Sequence, residues 1–149
     1  MIKALPPQTV VLLVEDNPAD QRLAMRAMKK LGMICDVRTV LDGEAALDYL
    51  SQLNASEESP RPNLILLDLN MPKIDGIEVL RHIKQDSQLD DIPVVVLTTS
   101  NHENDQNICQ ALGCTAYVQK PASAEKLLHL LQNLGQSWLQ LFQLTEQKI

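Results

Sequence analysis

The sequence predicts an α/β domain of the doubly wound class, in which five parallel strands, each followed by a helix, form one sheet covered on both faces. Three observations carry this expectation. VVLLV from Val10, NLILLDL from Asn63 and IPVVVLTT from Ile92 are apolar throughout rather than alternating, as strands are when both their faces are covered. Helical patterns lie between the strand-like runs, and strict alternation over connections of ordinary length implies right-handed crossovers and parallel strands. Aromatic residues make up only 3% of the 149. Such a core is filled by Leu, Val, Ile, Ala and Met, which suits a helix-covered sheet better than a sandwich built around large rings.

VVLLV forms the first strand and stops at Glu15 and Asp16. Asn17 is placed to cap the following helix, and Pro18 takes its first position, where a missing N–H costs nothing. Leu23, Ala24, Ala27, Met28 and Leu31 are expected on the inner face of that helix, with Gly32 as its stop. CDVRTV from Cys35 reads as a shorter or edge strand. A second helix, from about Glu44 to Gln52, turns Ala46, Leu47 and Leu50 inward, and NASEESPRP after it reads as a solvated loop.

NLILLDL, the most buried run, ends in Asp68, and the helix beginning near Asp75 buries Val79, Leu80 and Ile83. IPVVVLTT ends in Thr98 and Thr99, and a fourth helix runs from about Asn101 to Leu112 before Gly113. TAYVQK from Thr115 carries polar residues suited to an edge strand and ends in Lys120 and Pro121. In the last segment Leu127, Leu128, Leu131, Leu134, Trp138, Leu141 and Phe142 share an arc of roughly 140°. One helix from Ser123 to Gln143 would be about 31 Å long, against about 17 to 20 Å for a strand, so its final turns are expected to overhang the sheet. Gly135 costs about 1 kcal/mol in such a helix and marks the place where it would break.

Thirteen Lys and Arg against nineteen Asp and Glu give a net charge of -6, the wrong sign for binding nucleic acid or an anionic membrane by electrostatics alone. Cys35, Cys109 and Cys114 form no CxxC pair and leave one over. They read as reduced, small buried residues of a cytoplasmic protein. The N-terminal apolar run is too short for a signal peptide or a membrane span.

In a doubly wound sheet, ligands bind beyond the carboxyl ends of the strands. Those ends carry Glu15, Asp16, Asp68, Thr98, Thr99 and Lys120. Three converging carboxylates repel one another strongly, and a divalent cation neutralises them. Magnesium fits best, because calcium needs more protein oxygens and zinc needs His or Cys, whereas His82, His102 and His129 are scattered. A carboxylate beside a metal, faced by a Lys and a hydroxyl, can attack phosphorus and hold the resulting acyl phosphate. The metal and Lys120 would offset charge on the equatorial oxygens. Asp68 is the expected nucleophile because it ends the most buried strand.

VLLVEDNPAD, LILLDLNMPKIDG, VVVLTTS and AYVQKP resemble, in order and spacing, the motifs of response regulator receiver domains of two-component signalling. The resemblance covers about residues 8–134. It implies a flavodoxin-like sheet of order 2-1-3-4-5 in a single receiver domain over residues 1–149, with a helical extension over about 135–144. By that likeness Asp68 accepts a phosphoryl group from a phosphohistidine of a sensor histidine kinase. Asp16 and Asp68 bind Mg2+ directly, Glu15 acts through water, and the backbone carbonyl of Asn70 is another ligand. Thr98 and Lys120 contact the phosphoryl oxygens, the orientation of Tyr117 follows Thr98, and the Lys120–Pro121 bond is cis.

PRPNLILLDLNMP, IPVVVLTTSN and the late SWL further resemble the small regulators paired with cyanobacterial phytochromes. Thr99 stands where a smaller Ala or Gly is frequent in the family, which would narrow access to the phosphoryl group. Glu15 replaces an Asp often found there. The expected function is a stand-alone phosphorylation switch that catalyses nothing beyond its own dephosphorylation, with output through protein contact, since only Leu144 to Ile149 follow the fifth helix.

Trp138, Leu141 and Phe142 either fold back on the core or, as an apolar stripe without sheet beneath it, seek a partner. The partner reading gives a homodimer through the fourth helix, fifth strand and fifth helix, a face many receivers use. Two rival functions lack a residue they need. A haloacid-dehalogenase-like phosphatase needs a second Asp two residues after the nucleophile, where Asn70 stands. A flavin-binding electron carrier needs a phosphate-cradling hydroxyl or glycine loop where EDNPAD stands.

Overall fold

Unbroken apolar runs become strands with no exposed face. In the computed structural model, which describes residues 9–31, 35–53, 55, 59–71, 74–99, 103–121 and 123–133, β1 (Thr9–Val14), β3 (Leu64–Asp68) and β4 (Val94–Thr98) form the buried centre of a parallel sheet. The two weaker runs, β2 (Cys35–Val40) and β5 (Ala116–Gln119), are its edges, and the order is β2-β1-β3-β4-β5. The helices are α1 (Pro18–Lys30), α2 (Gly43–Ser51), α3 (Gly76–Gln85), α4 (Glu103–Leu112) and α5 (Ala124–Asn133). Fold class and strand order are those expected.

Alternation along each strand divides the core in two. Val11, Leu13, Leu64, Leu66, Val95 and Leu97 pack with Ala24, Ala27 and Met28 of α1 and Leu127 of α5. Leu12, Val14, Ile65, Leu67, Val94 and Val96 face Ala46 and Leu50 of α2, Val79, Leu80 and Ile83 of α3, and Cys109 of α4. Register places Val14 beside Leu67, Asp68 beside Leu97 and Thr98 beside Gln119. The carboxyl ends are therefore level, and the residues leaving each strand emerge on one rim.

Helix starts are fixed by side-chain caps, which satisfy otherwise orphaned amides. Asn17 Oδ1 accepts from the amides of Ala19 and Asp20, Asp42 Oδ1 from Ala45, and Asp75 Oδ1 from Glu78. At its end, α4 is closed by amide bonds from Gly113 to Gln110 O and from Cys114 to Cys109 O, both 3.0 Å. Gly113 sits at φ 93°, a conformation that favours glycine.

Three expectations change. Leu23 is 42% exposed rather than inward, because Ala24, Ala27 and Met28 already fill the narrow stripe that α1 turns to the sheet and Leu23 lies at its margin. The loop before β3 is not wholly solvated. Ser59 is buried, Tyr49 Oη donates to Pro60 O at 2.6 Å, and Arg61 donates to Gln88 O and Asp91. Of the cysteines only Cys109 is fully buried, with Cys35 and Cys114 half-buried. Gly135, Trp138, Leu141 and Phe142 lie outside the described residues.

Gly76 shows how tightly α3 is set against the rim. A Cβ there would lie 2.3 Å from Asp68 O and 2.6 Å from Leu69 Cα, while its amide donates to Leu69 O at 3.0 Å. Gly76→Ala should therefore lower stability by about 1 to 3 kcal/mol, read as a lower urea midpoint at unchanged slope. An unchanged midpoint would show that α3 has room to shift at this approach.

Candidate functional site

Each functional side chain is set by the strand it follows. Glu15 leaves β1 with its amide still bonded to Val40 O of β2 at 3.0 Å, which keeps it in the sheet. It is 2% exposed, Asp68 at the end of β3 is 3% exposed, and Thr98 at the end of β4 is fully buried. Lys120 follows β5 and donates its amide to Thr98 O at 2.7 Å. Asp16 is exposed at the mouth of this rim. Carboxylate oxygens of Glu15, Asp16 and Asp68 all lie within 4.8 Å of one another.

The Lys120 side chain, 9% exposed, spans the rim. Its ammonium is 2.6 Å from Glu15 Oε1, 2.9 Å from Asp20 Oδ2 and 3.4 Å from Asp68 Oδ2. The Lys120–Pro121 peptide bond is cis, as expected. Asp68 Oδ1 accepts the Asn70 amide at 3.1 Å. The side chain of Asn70 donates to the hydroxyls of both Thr98 and Thr99 at 3.2 Å. Tyr117 stands next to Val96 in β5, half-buried against the core face shared with α4.

Glu15, Asp16, Asp68 and Lys120, expected together from the sequence, do lie together, but sequence reasoning missed two neighbours. Asp20 is a fourth carboxylate at the site, and the Asn70 side chain a latch on two hydroxyls. Asp20 has a local signal, since it falls in the first turn after the Asn17 cap, but nothing local links it to a lysine a hundred residues away.

The electrostatics follow from crowding in a place poor in water. Burial raises the pKa of Glu15 to about 7, and the neighbouring Asp68 carboxyl adds to the rise, against the opposing pull of Lys120 and the Asn17 amide. Burial works against the Lys120 ammonium, but bonds to Glu15 and Asp20 and the Asp68 charge outweigh it, so its pKa stands above the ordinary lysine value. Among the described residues one ammonium faces these carboxylates, and it does not balance them. The surplus is negative, the donors are all oxygens, and such a set suits a hard divalent cation. The cluster can bind one.

Residues 11–132 match the response regulator receiver domain family. The chain is 45% identical over 134 residues to "Response regulator Rcp1" of Synechocystis sp., across 90% of this chain and 91% of that one. The crystal structure of the Mn(2+)-bound form of Rcp1 superposes with a TM-score of 0.73 at 45% identity, covering 88% of this chain and 94% of that one. The phosphorylated cyanobacterial phytochrome response regulator RcpA does so with 0.74 at 42% identity, covering 89% and 94%. Neither the phosphatase nor the electron-carrier reading is supported by these likenesses. Among the described residues no helix is long and apolar enough to cross a membrane. Family match, strand order and an acidic rim faced by a buried lysine agree: the chain belongs to the response regulator receiver domain family, and it is similar to the single-domain regulators of phytochrome signalling.

Proposed function

We propose that the chain is a phosphorylation switch in which Asp68 takes a phosphoryl group from a phosphohistidine of a sensor histidine kinase. By likeness to Rcp1 and RcpA that kinase is a phytochrome. The observation that carries the reading is Asp68 itself: it ends the central strand almost fully buried, between an ammonium at 3.4 Å and the carboxylates of Glu15 and Asp16.

Asp16 and Asp68 would hold Mg2+, with Glu15 acting through water and the Asn70 carbonyl adding an oxygen. Bound there, the ion offsets charge on the phosphoryl oxygens. The Asn70 amide on Asp68 Oδ1 fixes the carboxylate, and Oδ2 faces the Lys120 ammonium at 3.4 Å. A carboxylate oxygen attacks phosphorus, the phosphorus–nitrogen bond breaks, and the imidazole leaves with its electron pair. Lys120 and Thr98 then meet the equatorial oxygens. Thr98 does so as a donor, whereas it accepts from the Asn70 amide, and its inward movement reorients Tyr117 on the adjacent strand, biasing the α4–β5 face between two populated states. Thr99, held by the same amide, narrows access and slows loading and hydrolysis. No other catalysis is assigned to the protein.

The chain acts in the cytoplasm, a place consistent with its three free thiols. It pairs with a second copy through α4, β5 and α5. In support, β5 is an edge strand, and a cavity of about 610 Å³ beside it is lined by Tyr117, Lys126, His129 and Leu130. Trp138, Leu141 and Phe142, which lie outside the described residues, are the apolar stripe that the sequence offers to the same partner.

Acetyl phosphate with Mg2+ should label the wild type and leave Asp68→Asn unlabelled; equal labelling of both removes Asp68 from the role. Calorimetric titration with Mg2+ tests the acidic rim. Glu15 retains its proton up to about pH 7, so a cation has to displace it, and affinity should fall about tenfold for each pH unit below 7 and level off above. In Glu15→Gln that slope should flatten, and a pH-independent wild type would refute the coupling. In sedimentation, Trp138→Ala should shift a dimer to monomer, whereas a monomeric wild type ends the dimer proposal.

A further inference from the structure

Asp20 lies outside the residues to which the phosphoacceptor reading gives a role, yet it makes one of the two short bonds to the ammonium on which that reading depends. Lys120 Nζ is 2.6 Å from Glu15 and 2.9 Å from Asp20, whereas Asp68 stands back at 3.4 Å. An ammonium has three protons to place, and two of them are committed away from Asp68.

The position of Asp20 is built. Its amide bonds to Asn17 Oδ1 at 3.2 Å, the Asn17 amide bonds to Glu15 Oε2 at 3.2 Å, and Gln21 Nε2 donates to Glu15 O at 2.7 Å. The first turn of α1 is thereby tied to the end of β1, and Asp20 is carried with it to within 2.9 Å of the ammonium. Its side chain is 29% exposed, against 4% for Asp68, so it loses less by giving up its partner. Aspartyl phosphate formation replaces one negative charge at Asp68 with about two. Lys120 has one proton left for the added charge, and drawing the ammonium closer to Asp68 than 3.4 Å weakens its hold on Asp20.

We propose that Asp20 is a positioning residue for the switch. It holds Lys120 toward α1 in the unmodified protein, and the phosphoryl group has to compete with it for the ammonium. Asp20 thus acts through Lys120 to favour the resting state. This inference rests on the phosphoacceptor reading of Asp68.

The test is a double-mutant cycle on affinity for beryllofluoride, an inert mimic of the phosphoryl group, measured calorimetrically in the presence of Mg2+ with folding checked by circular dichroism. Asp20→Asn should tighten binding about two- to fivefold, the range a partly exposed ion pair supports. In a Lys120→Gln background the same substitution should change nothing. An equal gain in both backgrounds means that Asp20 merely repels the anion, and no gain in either means that it has no role; each result overturns the proposal.

A wild type that fails to bind beryllofluoride at all sinks the reading of Asp68 and this inference with it. A wild type that binds, with an uncoupled cycle, sinks this inference alone. Should Lys120→Gln not fold, the ammonium resonance of Lys120 in metal-free protein decides. It should shift and exchange faster with water in Asp20→Asn than in wild type, and identical signals would overturn the proposal.

Discussion

Everything at the carboxyl rim answers to one constraint: several carboxylates are held close together where water is scarce, and among the described residues one buried ammonium faces them. Glu15 and Asp68 are almost fully buried, and removing like charges from solvent while crowding them is unfavourable on both counts. The protein relieves this in two ways without metal. Lys120 is shared among the oxygens of Glu15, Asp20 and Asp68, and burial raises the pKa of Glu15 to about 7. The remaining demand for positive charge is what makes the rim receptive to a divalent cation.

Such a cluster persists only on a scaffold that cannot relax away from it. The parallel sheet supplies that rigidity, because β1, β3 and β4 are covered on both faces and their ends are level by register. Turns leaving the rim are pinned within a few residues. The Asn17 cap and the Gln21 amide fasten α1 to Glu15, and Gly76 lets α3 begin in contact with the Asp68 backbone. Core packing, helix capping and site geometry are in this sense one arrangement.

The bridges between strand ends are made by polar groups. Asn70 bonds Thr98 and Thr99 across the ends of β3 and β4, and Lys120 bonds Asp20 and Glu15 from β5. These bonds are exchangeable where the apolar core is not. Under the proposed switch, an added charge at Asp68 would act on the Thr98 hydroxyl and on the Lys120 ammonium together, two routes into the β4–β5 side of the sheet. Switching of this kind needs differential contacts in two states rather than deformation of the core.

The elements, their order and the residues at each strand end were legible in the chain's pattern. Continuous apolar runs such as VVLLV and LILLDL, separated by helical periodicity, admit few arrangements other than a covered parallel sheet, and strand ends then define the rim without coordinates. Packing settled the features that periodicity does not encode. Whether Leu23 turns inward depends on the width of the stripe that α1 presents, and the pinning of the loop before β3 depends on Tyr49 and Arg61 linking it to distant turns. That Lys120 is held by Asp20, and that the Asn70 side chain rather than only its backbone belongs to the site, come from contacts between segments far apart in the chain. Local pattern fixes which face a residue occupies, whereas the partner it meets is set by how the crossovers bring four strand ends to one edge.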